Sequence, residues 1–290
     1  LSSIMAMLAT ASTGPSSVQV YDLFGPTESA NTILQKQLSQ YLQTSKKNVL
    51  PKGNEFFVQN KIIINQAIVE QLSSEYQQQV QDNFLATKVV FDAAVNNPEK
   101  NINQQIAKET QGKIQELLPK NSISASTQVL LSNTIEFKGL WEKAFDVQNT
   151  KMQNFFSQDG KSIGLVKTMT QELDLFQASI NGLTAYDIPY QGGQFSLRII
   201  PLPEGRKMVD LTQSLSKHDW SDWSLQMRAQ HCILSLPKFK IAAESVSVAE
   251  KMQHLGVKEI FSTHADFTPM LGQAGKSHHL DNVFHAVAIE

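Results

Sequence analysis

Asn133-Thr134-Ile135-Glu136-Phe137-Lys138-Gly139-Leu140-Trp141, preceded by Val129-Leu130-Leu131 and followed by Phe145, Asn149 and Thr150, is the stretch that decides the fold. Three consecutive aliphatic residues within Thr127 to Ile135 predict a strand buried on both faces, because a one-sided strand would alternate apolar with polar. Asn133 inside that strand is costly unless a partner satisfies its amide. Beyond Gly139 the pattern turns polar, and Trp141 is a large apolar plug with one N–H to place.

Outward from this stretch, helices and strands are interspersed without internal repeats. Leu1, Ile4, Met5 and Leu8 form an i, i+3, i+4, i+7 stripe that Gly14-Pro15 stops. Asn31 to Gln43 predicts a glutamine-rich helix with Leu34, Leu38 and Leu42 on one face. Phe56 to Ile64 and Ala86 to Phe91 read as strands, and Leu72, Tyr76 and Val80 mark a helix between them. Ile102 and Ile106 mark another helix, with Gly112 as its C-terminal stop. Ala185 to Tyr190 and Phe195 to Ile200 flank Gln191-Gly192-Gly193-Gln194, a hairpin turn signal. From Cys232 the alternation Cys232, Leu234, Leu236 resumes one residue out of phase at Phe239 and Ile241, which predicts a bulge or bend at Pro237. Long strands with clustered helices predict an α+β fold with large mixed or antiparallel sheets. No Gly/Pro/Ser-rich linker divides the chain, so a single domain over residues 1–290 is expected.

Composition excludes more than it assigns. At 290 residues and 41% hydrophobic, the chain can bury a large core. A net charge of −2 gives no electrostatic case for nucleic acid or an anionic membrane. No apolar run approaches the length of a membrane span. The single cysteine, Cys232, rules out an internal disulfide framework and leaves the compartment open. It lies in an apolar strand and reads as a small core residue. No Asn-x-Ser/Thr sequon occurs, which disfavours a glycosylated secreted form. A serine hydrolase would need an activated Ser, a His base and an orienting acid, and the Gly-x-Ser-x-Gly elbow is missing from the sequence. His278, His279, His285 and Asp281 cluster in sequence, but adjacent histidines on a strand face opposite ways, so a solvated loop is favoured over a metal site. No cofactor is expected.

The order Asn133, Phe137-Lys138-Gly139, Trp141 resembles a signature of the serpins, the serine protease inhibitor superfamily, in the strand at the centre of their sheet A. Other segments resemble the same family in the same order. Leu1 to Leu8 looks like the serpin helix that threads the core, entered just after its usual Ser-Pro start. Asn97-Pro98-Glu99, Ile102-Asn103, Gly112-Lys113-Ile114 and Leu117-Leu118-Pro119 are similar to the helix lying across sheet A. Leu234 to Phe239, Leu255-Gly256-Val257, Phe261 and Ala265-Asp266-Phe267-Thr268 follow at serpin spacing. His285-Ala286-Val287-Ala288-Ile289-Glu290 resembles the strand leading to the reactive loop.

What the resemblance implies is a mechanical rather than an enzymatic function. Serpins present a loop as bait to a serine protease, sometimes a cysteine protease, and the cut loop inserts into sheet A as a new strand. The resemblance assigns Asn133 and His285 to the shutter, Trp141 to the breach, and Ala288, Ile289 and Glu290 to the strand leading to the loop hinge. The structural alternative is that Asn133 and His285 are satisfied core polar groups and Trp141 simple packing. On the same basis the chain is expected to be incomplete at both ends, lacking the helix-start Ser, the reactive loop and the C-terminal strands. Ile188, Leu197, Ile199 and Leu234 would then lose partners, and the isolated piece is expected to be unstable. Serpins that bind heparin-like polyanions use a basic face on the helix matched by Asn31 to Gln43. Here that helix carries one Lys, Lys36, with Lys46, Lys47 and Lys52 scattered beyond, so no strong glycosaminoglycan cofactor is expected. The expected partner is a target protease, met by a monomer outside cells, with the cytoplasm as the alternative. The other function class is a non-inhibitory serpin acting as carrier, chaperone, or storage or reproductive protein.

Overall fold

The computed structural model describes residues 2–24, 54–112, 114–203, 205–215, 217–240 and 245–289. The helix expected over Asn31 to Gln43, the lysines at 36, 46, 47 and 52, and Leu1, Lys113, Ile241 and Glu290 lie outside them. In chain order the main elements begin with α1 (Ser2–Ala11), α2 (Pro15–Asp22), β1 (Glu55–Asn65), α3 (Ser74–Phe84) and β2 (Ala86–Phe91). They continue through α4 (Pro98–Glu109), β3 (Val129–Lys138), β4 (Thr150–Phe156), β5 (Ser162–Ile180), β6 (Leu183–Pro189) and β7 (Ser196–Ile199). The last are α5 (Met208–Ser214), α6 (Lys217–Gln226), β8 (Arg228–Pro237), β9 (Val246–Ser247), α7 (Ala249–His254), α8 (Thr268–Leu271) and β10 (Asn282–Ile289). They fall into two compact units, one of Leu1–Val49, Glu55–Phe137 and Ile241–Ile289, the other mainly of Lys138–Lys240.

The first unit is built on a five-stranded mixed sheet of order β2-β1-β3-β10-β9. β1 and β2 run parallel, β3 and β10 run parallel, and β9 closes the edge antiparallel to β10. Successive residues of a strand point to opposite faces, which explains the unbroken apolar runs. Ile62, Ile64, Val129, Leu131 and Val283 join a core with α1 and α3, while Ile63, Leu130, Phe284 and Ala286 join a second core with Ile102 and Ile106 of α4. α1 departs from the stripe its sequence suggested. Ser3 to Ala9 and Ala11 are all buried, so this helix is enclosed on every side.

The caps follow the local chemistry. Ser73 accepts a hydrogen bond from the Tyr76 N–H (3.2 Å) at the start of α3, and Leu85 ends that helix in the left-handed region. Pro98 starts α4, where a missing N–H is harmless. The stop at Gly112 is as expected: at φ +80° its N–H closes onto the Ala107 carbonyl at 2.7 Å.

The second unit is an antiparallel sheet of order β4-β5-β6-β7, with β8 on β5. Residues 168 and 169 of β5 pair with both β4 and β8, and 176 and 177 with both β6 and β8, so β4 and β6 share one edge of β5 and β8 takes the other. The β6–β7 hairpin turns at Gly192 and Gly193, both at positive φ. Arg198 clamps Asp187 across it through two bonds of 2.7 Å. The bulge expected at Pro237 is not there. β8 keeps a continuous register with β5 to Pro237 and then ends, and the exposed Phe239 lies beyond the strand, so a strand end explains the phase slip. The register shift that does occur is between Phe155 and Phe156. Cys232 is half-buried rather than core, and burial, with Asp174 nearby, pushes its thiol up, away from nucleophilic behaviour.

Candidate functional site

β3 and β10 form a parallel seam at the centre of the first unit, paired from Leu130↔Asn282 to Phe137↔Ile289. Asn133 and His285 are direct partners in this register, so the two expected shutter residues stand side by side. Asn133 is completely buried, and its Nδ2 donates to Asn60 Oδ1 at 2.9 Å. Asn60, also completely buried, donates from its Nδ2 to the Phe84 carbonyl at 2.7 Å. A relay of two amides therefore ties β3 to β1 and to the last turn of α3, where the Leu85 turn leaves a carbonyl to be satisfied. Tyr76, in the same helix, donates its hydroxyl to the Met7 carbonyl of α1 at 3.2 Å.

His285 is half-buried. Burial disfavours its charged form and holds its pKa below the usual imidazole value, against a backbone hydrogen bond with Asn133 that favours charge. Its Nδ1 is enclosed without a hydrogen-bond partner, as are the hydroxyls of Ser132 and Thr134. The seam thus joins a well-satisfied amide relay to several unmet polar atoms, beside the aliphatic run Val129 to Leu131.

The remaining expected site residues are placed as follows. Ala288 and Ile289 continue β10 opposite Glu136 and Phe137, and Glu290 lies outside the described residues. Trp141 belongs to the second unit. It stacks on Tyr190 with ring centroids 4.5 Å apart and 12° between planes, meets Phe145 edge-on at 5.9 Å, and forms a lone bridge to Tyr190. Asn54 fastens the same corner, accepting from the Leu140 N–H (2.6 Å) and donating to the Gln191 carbonyl (3.0 Å). Sequence reasoning missed Asn60. Its signal was the one that singled out Asn133, a polar amide next to an aliphatic strand run. His279 is exposed but His278 is half-buried with both ring nitrogens enclosed, which corrects the solvated-loop reading for that residue. Among the described residues no group of three His, Cys, Asp or Glu side chains is placed to hold a metal ion, and no helix is long and apolar enough to cross a membrane.

Comparison with known proteins agrees with this architecture. The family model described as Serpin (serine protease inhibitor) matches residues 1–290. Human serpin B3 is 28% identical over 260 residues, which is 88% of this chain and 64% of that protein. Bovine antithrombin-III is 25% identical over 252 residues, 86% of this chain and 52% of that protein. The chain therefore spans about half to two thirds of the length of these relatives. Among solved structures, the thyroxine-binding globulin complex with thyroxine superimposes with a TM-score of 0.86 at 18% identity, covering 99% of this chain and 77% of that one.

Proposed function

The chain belongs to the serpin family, and from that premise we propose that the whole protein inhibits a serine protease by inserting its cleaved loop into the β3–β10 seam. Both units are read as parts of one serpin domain, because one family model spans them. The observation that carries the proposal is the parallel pairing of β3 with β10. A chain leaving β10 at Ile289 can reverse and enter between these two strands antiparallel to both. Antiparallel ladders are slightly the more stable per residue, and each main-chain hydrogen bond formed contributes roughly 0.5–1.5 kcal/mol. Insertion of a serpin reactive loop is a strand addition of this kind, in which main-chain hydrogen bonds supply the affinity. The native, five-stranded form is then the metastable one, held by a kinetic barrier. On this reading the backbone hydrogen bond between Asn133 and His285 resists separation of β3 from β10, the Asn133–Asn60 amide pair keeps β3 with β1 as the seam opens, and Trp141 with Tyr190 marks the breach. Serpins typically bind target proteases; a serine protease outside cells is the proposed partner, with no polyanion cofactor required.

The test is to incubate the full-length protein with trypsin-like, chymotrypsin-like and elastase-like serine proteases. The expected result is a covalent complex stable in denaturing gels, together with a large rise in the melting temperature of the cleaved protein. Cleavage with neither complex nor stabilisation would replace this reading with that of a non-inhibitory carrier or storage serpin.

A further inference from the structure

β2 stands at one end of the first unit's sheet, and among the described residues its ladder runs to β1 alone. In a parallel pair, alternate residues turn their N–H and C=O groups away from the partner. Half of the main-chain groups of β2 therefore point outward, and no described strand, turn or side chain takes them up. Proteins blunt such edges with charge, bulges or cover. Here the cover is incomplete: Thr87, Lys88 and Val90 are exposed, Val90 at 47%.

The two faces of this edge differ. Val89 and Phe91 share a core with Ile102 of α4, whereas Lys88 and Val90 alternate to the opposite side. α4 packs on β2, and a cleft of about 170 Å³ stays open between them. Val89, Phe91, Val95 and Ile102 give it apolar walls, with Asn101 on the helix side and Asp92 where the strand ends. An engineered apolar cavity of about 150 Å³ takes up benzene, so the cleft has room for one aromatic side chain. Val95 stands 43% exposed there, apolar surface that such a ring would cover.

Charge narrows what can lie along the edge. Lys88 forms no ion pair among the described residues. An edge lysine works against pairing with a second copy of the same edge, but an acidic residue set opposite it is favoured. Asp92, whose carboxylate accepts the Ala94 N–H at 2.8 Å, favours a basic residue at the other end. We propose that the outer edge of β2 and its cleft form a docking site for an extended segment of a partner protein, taken up as an added strand. The segment carries an acidic residue opposite Lys88, an aromatic ring in the cleft and a basic residue towards Asp92. Main-chain hydrogen bonds supply its affinity, and the ring and the two charges fix its register and direction. The site lies two strands away from β3 and is independent of loop insertion at the seam.

The probe is the fluorescein-labelled, acetylated peptide Lys-Phe-Thr-Val-Glu-Thr. Antiparallel to β2, it sets Glu opposite Lys88, Phe over the cleft and Lys towards Asp92. Binding to the full-length protein is read by fluorescence anisotropy and located by amide exchange with mass spectrometry. Saturable binding with slowed exchange at residues 86–91 is expected, and methylating the peptide nitrogens that face β2 should abolish it. Lys88→Glu should weaken binding about fivefold, the effect of exchanging an opposite for a like charge across a strand pair. A peptide with Lys in place of its Glu should restore it. Asn101→Trp fills the cleft from an exposed helical position, so the probe and its Phe→Ala version should then bind alike. Both variants should keep the wild-type urea midpoint. Slowed exchange at residues 130–137 and 282–289 instead would place the peptide in the seam and overturn the edge site. Binding indifferent to both N-methylation and Lys88→Glu, or no binding by the wild type, overturns it as well.

Discussion

Replacing Asn133 by Ala removes a completely buried amide whose Nδ2 lies 2.9 Å from Asn60 Oδ1. The Asn60 oxygen is then left enclosed without a donor, at about 1–3 kcal/mol. The small cavity left by the amide adds about 1 kcal/mol, so the single substitution should destabilise by about 2–4 kcal/mol. Asn60→Ala strips the same bond and also frees the Phe84 carbonyl, giving a loss of similar size. The two changes are not independent, because each already removes the shared hydrogen bond. The double variant should therefore fall short of the sum by about 1–2 kcal/mol, the coupling expected of contacting residues. The assay is urea unfolding of the full-length protein, both single variants and the double variant, read by far-UV circular dichroism. Asn133 makes further interactions, and the cycle separates the amide bridge from them. Additivity within about 0.5 kcal/mol would refute the relay.

Three further outcomes are expected. His231 bridges Glu172 (2.9 Å) and Asp174 (2.6 Å) through its two ring nitrogens, and the hydrogen bonds its ring N–H groups donate to those carboxylates raise its pKa. Its contribution is present below the ordinary value of about 6.5 and lost as pH rises through the raised folded value, so an NMR titration midpoint at or below about 6.5 contradicts the bridge. His285 behaves in the opposite sense, since burial lowers its pKa. Its neutral form stabilises the fold above about 6.5, and that stability is lost as pH falls towards the lowered value, so a His285→Gln variant should show a flatter stability profile in that window. Gly275→Ala would put a Cβ 2.2 Å from the Phe267 carbonyl carbon. Backbone on both sides must then shift, and a loss of about 3 kcal/mol or more in urea unfolding is expected, with an unchanged midpoint speaking against the close approach.

The amino-acid sequence by itself determined which segments are buried and by what period. The apolar run at Val129 to Leu131 could only be a strand covered on both faces, and two separate cores do cover it. Gly112 and the Gly192-Gly193 pair marked chain reversals because a left-handed backbone is cheap only there. Local patterns of this kind are legible because they depend on neighbours a few residues away. Asn133 was legible as a polar group needing a partner, but not which partner. Asn60 lies 73 residues earlier in the chain, and only the packing of β3 beside β1 brings the two amides together. Likewise the Pro237 phase slip carried no information on whether a strand bends or stops, since that depends on whether β5 continues alongside. Lys61 reads as an ordinary surface cation until α4 is laid over the sheet and its last-turn carboxylate covers it. Periodicity identifies faces, whereas the pairing of polar atoms across distant strands is settled only when the chain closes on itself and water is excluded from between them.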